Sequence, residues 1–314
     1  MFPFNNLSKC FKFTASRDWF HRHTFIAAGL RPTTTDLGGG TIMHCWAPKS
    51  RRQSKPDLLL LHGFGATATW QFSEHLHHFA ARFNVYVPDL LFFGGSHTAG
   101  PERTEGFQAR CVMRVMAEGH GVRRMSVVGI SYGGFVAYDM AAEFPEAVER
   151  VVLCCAGVCL EEKDMAEGLF KVRDLDEAAS ILLPQTPEKL RELMRLSFVK
   201  PFRGVPSCFL ADFIDVMCTE FVEEKRELIQ TILKGRKLSN LPKITQSTLI
   251  IWGEQDQIFP LELGYRLKRH VGENAELVVI KNAGHAVNLE KPKEFVKHLK
   301  FFLEDSISST SLKN

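Results

Sequence analysis

The sequence has no apolar run long enough to cross a bilayer. The longest, Val151 to Leu160, is about half of the ~20 residues that a spanning helix needs, and its β-branched start suits a buried strand. No continuous apolar core follows the basic residues near the N-terminus, so a secretory signal is not expected. Paired cysteines are missing as well. The eight cysteines (Cys10, Cys45, Cys111, Cys154, Cys155, Cys159, Cys208, Cys218) lie mostly within apolar runs, without the spacing of a zinc site or a small disulfide scaffold. They read as reduced core residues, and the expected compartment is the cytoplasm. An excess of one charge sign is also absent. A net charge of +3, with no basic stripe interleaved with aromatics, argues against a nucleic acid partner and against an acidic substrate. What remains is an ordinary globular composition: 314 residues, 45% hydrophobic and 24% charged, enough for one large core with an insertion.

The chain opens with an arm, residues 1–32. It carries Phe2, Phe4, Phe11, Phe13, Trp19, Phe20 and Phe25, and five basic residues against a single acid, Asp18. Packing against the body, a transit peptide and a membrane-surface segment all suit that composition, and peripheral membrane contact through residues 1–32 is one expectation. From Thr33 a hairpin is expected about Gly38-Gly39-Gly40. Six short apolar runs follow: Leu58 to Leu61, Val85 to Val87, Met125 to Ile130, Val151 to Cys155, Leu249 to Trp252 and Leu277 to Ile280. Their alternation with amphipathic segments predicts a mostly parallel, eight-stranded sheet flanked by helices, in the α/β class. One interval breaks the alternation. Residues 158–247 hold helical patterns and no strand, with helices expected over Glu188 to Phe198 and Glu220 to Leu233, so a helical lid is expected between core segments 33–157 and 248–305. A flexible tail is expected over 306–314.

The chemistry centres on Val127-Val128-Gly129-Ile130-Ser131-Tyr132-Gly133-Gly134. An apolar strand runs into G-x-S-x-G and on into helical spacing, which reads as strand, sharp turn, helix. Glycines are needed around Ser131 because side chains at Gly129 and Gly133 would meet neighbouring backbone. A serine nucleophile needs a base and a group to orient that base. Asp256 follows one buried run and His285 the next, and in a parallel sheet such loops emerge at the same edge as Ser131. Taken singly, Asp256 reads equally as a helix cap and His285 as a surface residue; the order Ser, Asp, His favours their joint use. The loop His62-Gly63-Phe64-Gly65 completes the set, with the backbone N–H groups of Phe64 and Tyr132 as the expected oxyanion donors. No cofactor is called for. His75, His77 and His78 fall on different helical faces and are not read as a metal site, Asp89 reads as a turn residue, and Glu254 as a partial stand-in for Asp256.

HGFG at 62–65, PDLLFFGGS at 88–96, GISYGG at 129–134, WGEQD at 252–256 and AGHAVNLEKP at 283–292 resemble the α/β-hydrolase superfamily. Within it the chain is similar to plant serine hydrolases related to monoacylglycerol lipases and to bacterial carbon–carbon hydrolases of the 2-hydroxy-6-oxodienoate type. The resemblance implies Ser131 as nucleophile, His285 as base and Asp256 as orienting acid. One departure stands out: Phe92 occupies a place where the superfamily often has glycine. The expected activity is hydrolysis of a small-molecule carboxylic ester with an apolar acyl or aromatic group, bound by Phe64, Tyr132 and the lid aromatics Phe198, Phe202 and Phe213. The alternatives are carbon–carbon hydrolysis of a vinylogous diketone and a small-molecule receptor of the strigolactone or karrikin type. The triplet Tyr132-Gly133-Gly134 departs from such receptors.

Overall fold

The computed structural model describes residues 13–202 and 204–310. Phe2, Phe4, Cys10 and Phe11 of the arm, and tail residues 311–314, lie outside the described residues. The arm contributes α1 (Phe13–Ala27). Its spacing turns Thr14, His21 and Phe25 inward, where the Phe25 ring meets Trp46 edge-on at 5.2 Å. Burying one such ring contributes about 1.5–3 kcal/mol, enough to hold the helix to the body.

The hairpin β1 (Leu30–Asp36) and β2 (Thr41–Pro48) follows. Gly38, Gly39 and Gly40 all take positive φ at its turn, a conformation that glycine adopts without steric cost. The remaining strands are β3 (Asp57–Leu61), β4 (Asn84–Pro88), a two-residue β5 (His97–Thr98), β6 (Met125–Ile130), β7 (Val148–Cys154), β8 (Ser247–Gly253) and β9 (Ala275–Ile280). Eight of them form the order β1-β2-β4-β3-β6-β7-β8-β9, and β5 pairs with β2. The pairs β1/β2 and β2/β4 are antiparallel, while every neighbour from β4 to β9 is parallel.

Alternation along the strands supplies a core on each face. Leu59, Leu61, Val127, Leu153, Ile250 and Trp252 point to one side. Leu58, Leu60, Val128, Val152, Leu249 and Ile251 point to the other. The short α2 (Ala68–Phe72) and α3 (His77–Ala80) follow β3, and α4 (Glu105–Arg114) and α5 (Tyr132–Glu143) flank β6. Between β7 and β8 lie α6 (Glu162–Ala166), α7 (Leu175–Leu182), α8 (Pro187–Ser197), α9 (Ser207–Met217) and α10 (Val222–Leu233). Thr186 caps α8 by accepting from the Lys189 N–H, with Pro187 in the first turn. The chain finishes with α11 (Leu261–Val271), α12 (Val287–Glu290) and α13 (Pro292–Thr310), whose end overlaps the expected tail.

Candidate active site

Ser131 stands between β6 and α5 with φ 51° and ψ −119°. A non-glycine residue there carries strain of about 1–3 kcal/mol, and its surroundings enforce it. The Ser131 N–H donates to Cys154 O at 2.8 Å, anchoring the turn to β7. A Cβ on Gly129 would overlap Gly133 O, and one on Gly133 would overlap Leu61 O. Only hydrogen fits at either place.

The loops after β8 and β9 bring the partners in. Gln255 N donates to Ala283 O at 2.9 Å and Glu254 N to Ile280 O at 3.0 Å, which lashes the acid loop to the histidine loop. His285 Nδ1 lies 2.8 Å from Asp256 Oδ2, and His285 Nε2 lies 2.9 Å from Ser131 Oγ. Asp256 is buried, and its Oδ1 accepts from the N–H groups of Ile258 and Phe259, both at 2.9 Å. A carboxylate only accepts, so Nδ1 carries the proton and Nε2 offers its lone pair to the Ser131 hydroxyl. Asp256 thus closes the turn of its own loop and partners His285 together; the helix that follows, α11, has Pro260 at its cap position and no side-chain cap.

On the opposite side, Phe64 packs edge-on against Tyr132 at 5.9 Å and against Phe93 at 5.2 Å. None of the hydrogen bonds among the described residues uses the backbone N–H of Phe64 or of Tyr132. The loop beneath is held by His62, whose Nε2 accepts from Leu90 N at 2.9 Å while Nδ1 faces Gly63 O at 2.8 Å. Burial pushes the His62 pKa down, in keeping with a neutral ring that donates on one side and accepts on the other. Asp89 accepts from Ala68 N at 2.8 Å and pairs with His44 at 2.8 Å. Burial works to raise its pKa, but the bonds from His44 and Ala68 and the nearby His62 hold it below the ordinary value. Its place is that of a structural anchor.

Residues 58–298 match the family described as "Alpha/beta hydrolase family". The chain belongs to that family of hydrolases. The hydrolase is 27% identical over 276 residues to monoacylglycerol lipase ABHD6 of Bos taurus, covering 85% of this chain and 80% of the relative. It is equally 27% identical over 249 residues to a 2-hydroxy-6-oxononadienedioate/2-hydroxy-6-oxononatrienedioate hydrolase of a Pseudomonas species, covering 76% and 84%. A bacterial membrane phospholipase A superposes with a TM-score of 0.73 at 26% identity, covering 93% of this chain and 90% of that one.

The hydrolase keeps its Phe92 loop in the shape that glycine would favour: Phe92 has φ 74° and is buried beside Phe221 and under the Arg103 guanidinium. Two neighbours of the site escaped the sequence reading. Glu290 accepts from Gly284 N at 2.6 Å through one oxygen, and from Val199 N at 2.9 Å and Lys200 N at 3.3 Å through the other. It therefore ties the residue before His285 to the loop that follows α8. Its one sequence signal is its place five residues after the histidine. Cys155, read as core, is indeed fully buried, but it adopts φ 47° and brings Sγ, the Asp256 carboxylate and a His285 ring nitrogen within 4.8 Å of one another. Glu254 is exposed and accepts from Asn282 N at 3.1 Å, bracing the same loop.

An apolar cavity of about 90 Å³ lies under the helical segment, lined among others by Leu160, Phe170, Leu182, Ile229, Ile232 and Phe259. The Phe259 ring sits 5.7 Å from that of His285, and Phe64 packs on Ala179, Leu183 and Ile229 beside the cavity. The structure does not bring Phe198, Phe202 or Phe213 to this cavity. Phe198 and Phe202 line a separate, larger cleft of about 420 Å³ with Arg17, Lys200 and Leu289, and Phe213 packs against Trp70 at 5.6 Å. Helical spacing identifies apolar faces; it does not say which neighbour each face meets.

Proposed function

We propose that this hydrolase cleaves a carboxylic ester with an apolar acyl or aromatic group through an acyl-enzyme on Ser131. The observation that carries the reading is the unbroken chain of contacts from Asp256 through His285 to Ser131 Oγ. As Oγ attacks the carbonyl carbon, its proton passes to His285 Nε2, and Asp256 steadies the imidazolium that results. The oxyanion is received by the free N–H groups of Phe64 and Tyr132. His285 then protonates the departing alcohol, and a water deprotonated by the same nitrogen releases the acid and restores Ser131. The cavity beside Phe259 takes the acyl chain, since its walls are almost wholly apolar. To test this, hydrolysis of p-nitrophenyl and monoacylglycerol esters is compared between wild type and Ser131→Ala. A loss of about 10³-fold or more supports the reading, and equal rates refute it.

A second reading, hydrolysis of a carbon–carbon bond in a vinylogous diketone, is favoured by the equal identity to the Pseudomonas hydrolase. Turnover of a dienoate substrate without ester hydrolysis selects it.

Peripheral membrane contact belongs to the same proposal. Among the described residues no helix is long and apolar enough to cross a membrane. The outward side of α1 nevertheless exposes Phe13, Trp19, Phe20 and Ile26, with Arg17 and Arg22 at its margins. Aromatic side chains flanked by arginines suit the headgroup boundary of a bilayer.

A further inference from the structure

The most unusual neighbour of the site is a thiol. The chain leaves β7 at Cys154, and Cys155 turns into the left-handed region with its N–H on Ile251 O at 2.9 Å. That turn aims a thiol at the Asp256–His285 pair. Among the described residues no other trio of His, Cys, Asp or Glu brings its donor atoms this close.

We propose that Cys155, Asp256 and His285 form an inhibitory site for a thiophilic divalent cation of the zinc type. As an account of inhibition it rests on the ester-hydrolase reading; as a binding site it does not. Thiolate, carboxylate and imidazole are zinc donors, and tetrahedral bonds of about 2.0–2.3 Å place such ligands roughly 3.3–3.8 Å apart. Donor atoms already within 4.8 Å reach that arrangement through small side-chain adjustments. All three residues stand at the ends of neighbouring parallel strands, so the backbone need not reorganise. Charge balances too. One thiolate, one carboxylate and a neutral imidazole cancel a doubly charged cation, which suits a buried place.

Binding through Nδ1, the nitrogen that faces Asp256, displaces the proton shared by that pair, and the thiol releases a second. The cation then sits where the Nδ1 proton was, and its positive charge withdraws basicity from Nε2. Ser131 loses the partner that takes its proton. Hard cations such as magnesium, which require six oxygen ligands, find no such set here. His285 is the member open to solvent, its side chain 15% accessible, so entry is from the Ser131 side.

The test uses zinc chloride with the full-length chain. Equilibrium dialysis counts zinc bound to wild type, Ser131→Ala, Cys155→Ala and Cys155→Ser, and ester hydrolysis is read with and without zinc, each protein normalised to its own zinc-free rate. The expected result is one zinc ion more on wild type and Ser131→Ala than on either Cys155 variant, or binding at least about tenfold weaker in those variants. Zinc is expected to inhibit wild type reversibly on chelation and to spare the Cys155 variants, while magnesium affects none. Cobalt in place of zinc is expected to give a thiolate charge-transfer band in wild type, which reads the site even if both Cys155 variants misfold. Equal zinc binding by wild type and the folded variants, absence of that band, or a zinc-loaded enzyme with undiminished turnover overturns the proposal. If no ester is hydrolysed at all, dialysis and the cobalt band still decide the site, so its failure and that of the ester reading remain distinct.

Discussion

Replacing Asp256 by asparagine tests the relay at its most constrained link. Asp256 Oδ1 accepts from two backbone N–H groups at 2.9 Å, and Oδ2 faces His285 Nδ1 at 2.8 Å. An amide of the same shape has one oxygen and one NH2. Only the oxygen can serve Ile258 and Phe259, so the NH2 is left facing His285. Nδ1 must then accept, its proton moves to Nε2, and the nitrogen beside Ser131 has no lone pair for the hydroxyl proton. A wrong tautomer in such a relay lowers kcat by about 10⁴, or about 5 kcal/mol in barrier. Folding is expected to change by less than about 1 kcal/mol, because both backbone bonds survive. Asp256→Ala, by contrast, loses the acceptor of those bonds as well and is expected to be destabilised by about 1–3 kcal/mol. The assay is initial-rate hydrolysis of a p-nitrophenyl ester, with thermal melts of each variant. An Asp256→Asn enzyme with unchanged melting and a rate within tenfold (about 1.4 kcal/mol) of wild type refutes the tautomer argument.

Four further outcomes are expected. Filling the cavity with Ile229→Trp is expected to depress turnover of long-chain esters by about tenfold or more relative to acetate esters, each excluded methylene being worth about 1–3 kcal/mol; an unaltered chain-length profile contradicts the assigned acyl pocket. Glu290→Gln keeps one acceptor oxygen where two serve three N–H groups, and stability is expected to fall by about 1–3 kcal/mol with kcat lowered more than KM is raised, which melts and steady-state kinetics read. Asp139 has its pKa raised to about 7, chiefly by burial and also by Glu105, with Arg236 opposing. The folded state therefore holds a proton that the unfolded chain releases, so stability falls as pH rises from about 4 to 7, and Asp139→Asn is expected to flatten that fall and to gain about 1–3 kcal/mol at pH 8; melting curves at pH 5 and 8 that move in parallel for both proteins contradict it. Serine at both Trp19 and Phe20 is expected to reduce co-sedimentation with anionic vesicles without loss of soluble-ester turnover, and equal sedimentation contradicts the membrane proposal.

The sheet was legible because its central strands are buried on both faces and so appear as continuous apolar runs. The Ser131 turn was legible because two glycines sit where any side chain would overlap backbone. Asp256 and His285 could be named since a parallel sheet sends all its strand ends to one edge. The cavity was not legible. Ile229 and Phe259 carry no mark that separates them from Phe198 or Phe213, since which side chains line the cavity depends on how α7 and α10 lean over Phe64, a matter of tertiary packing. Cys155 was hidden for a related reason: an apolar run shows burial, while the left-handed turn that aims its thiol has no sequence signal in a non-glycine residue. Phe92 shows the converse, a buried side chain held at a positive φ that glycine adopts without steric cost.

The most direct measurement is to treat the protein with a fluorophosphonate and locate the adduct by peptide mass spectrometry. The account predicts one adduct, on Ser131, formed together with loss of ester hydrolysis and strongly slowed in His285→Ala. Ester hydrolysis that survives in Ser131→Ala, or an adduct on another residue in an enzyme thereby inactivated, contradicts it.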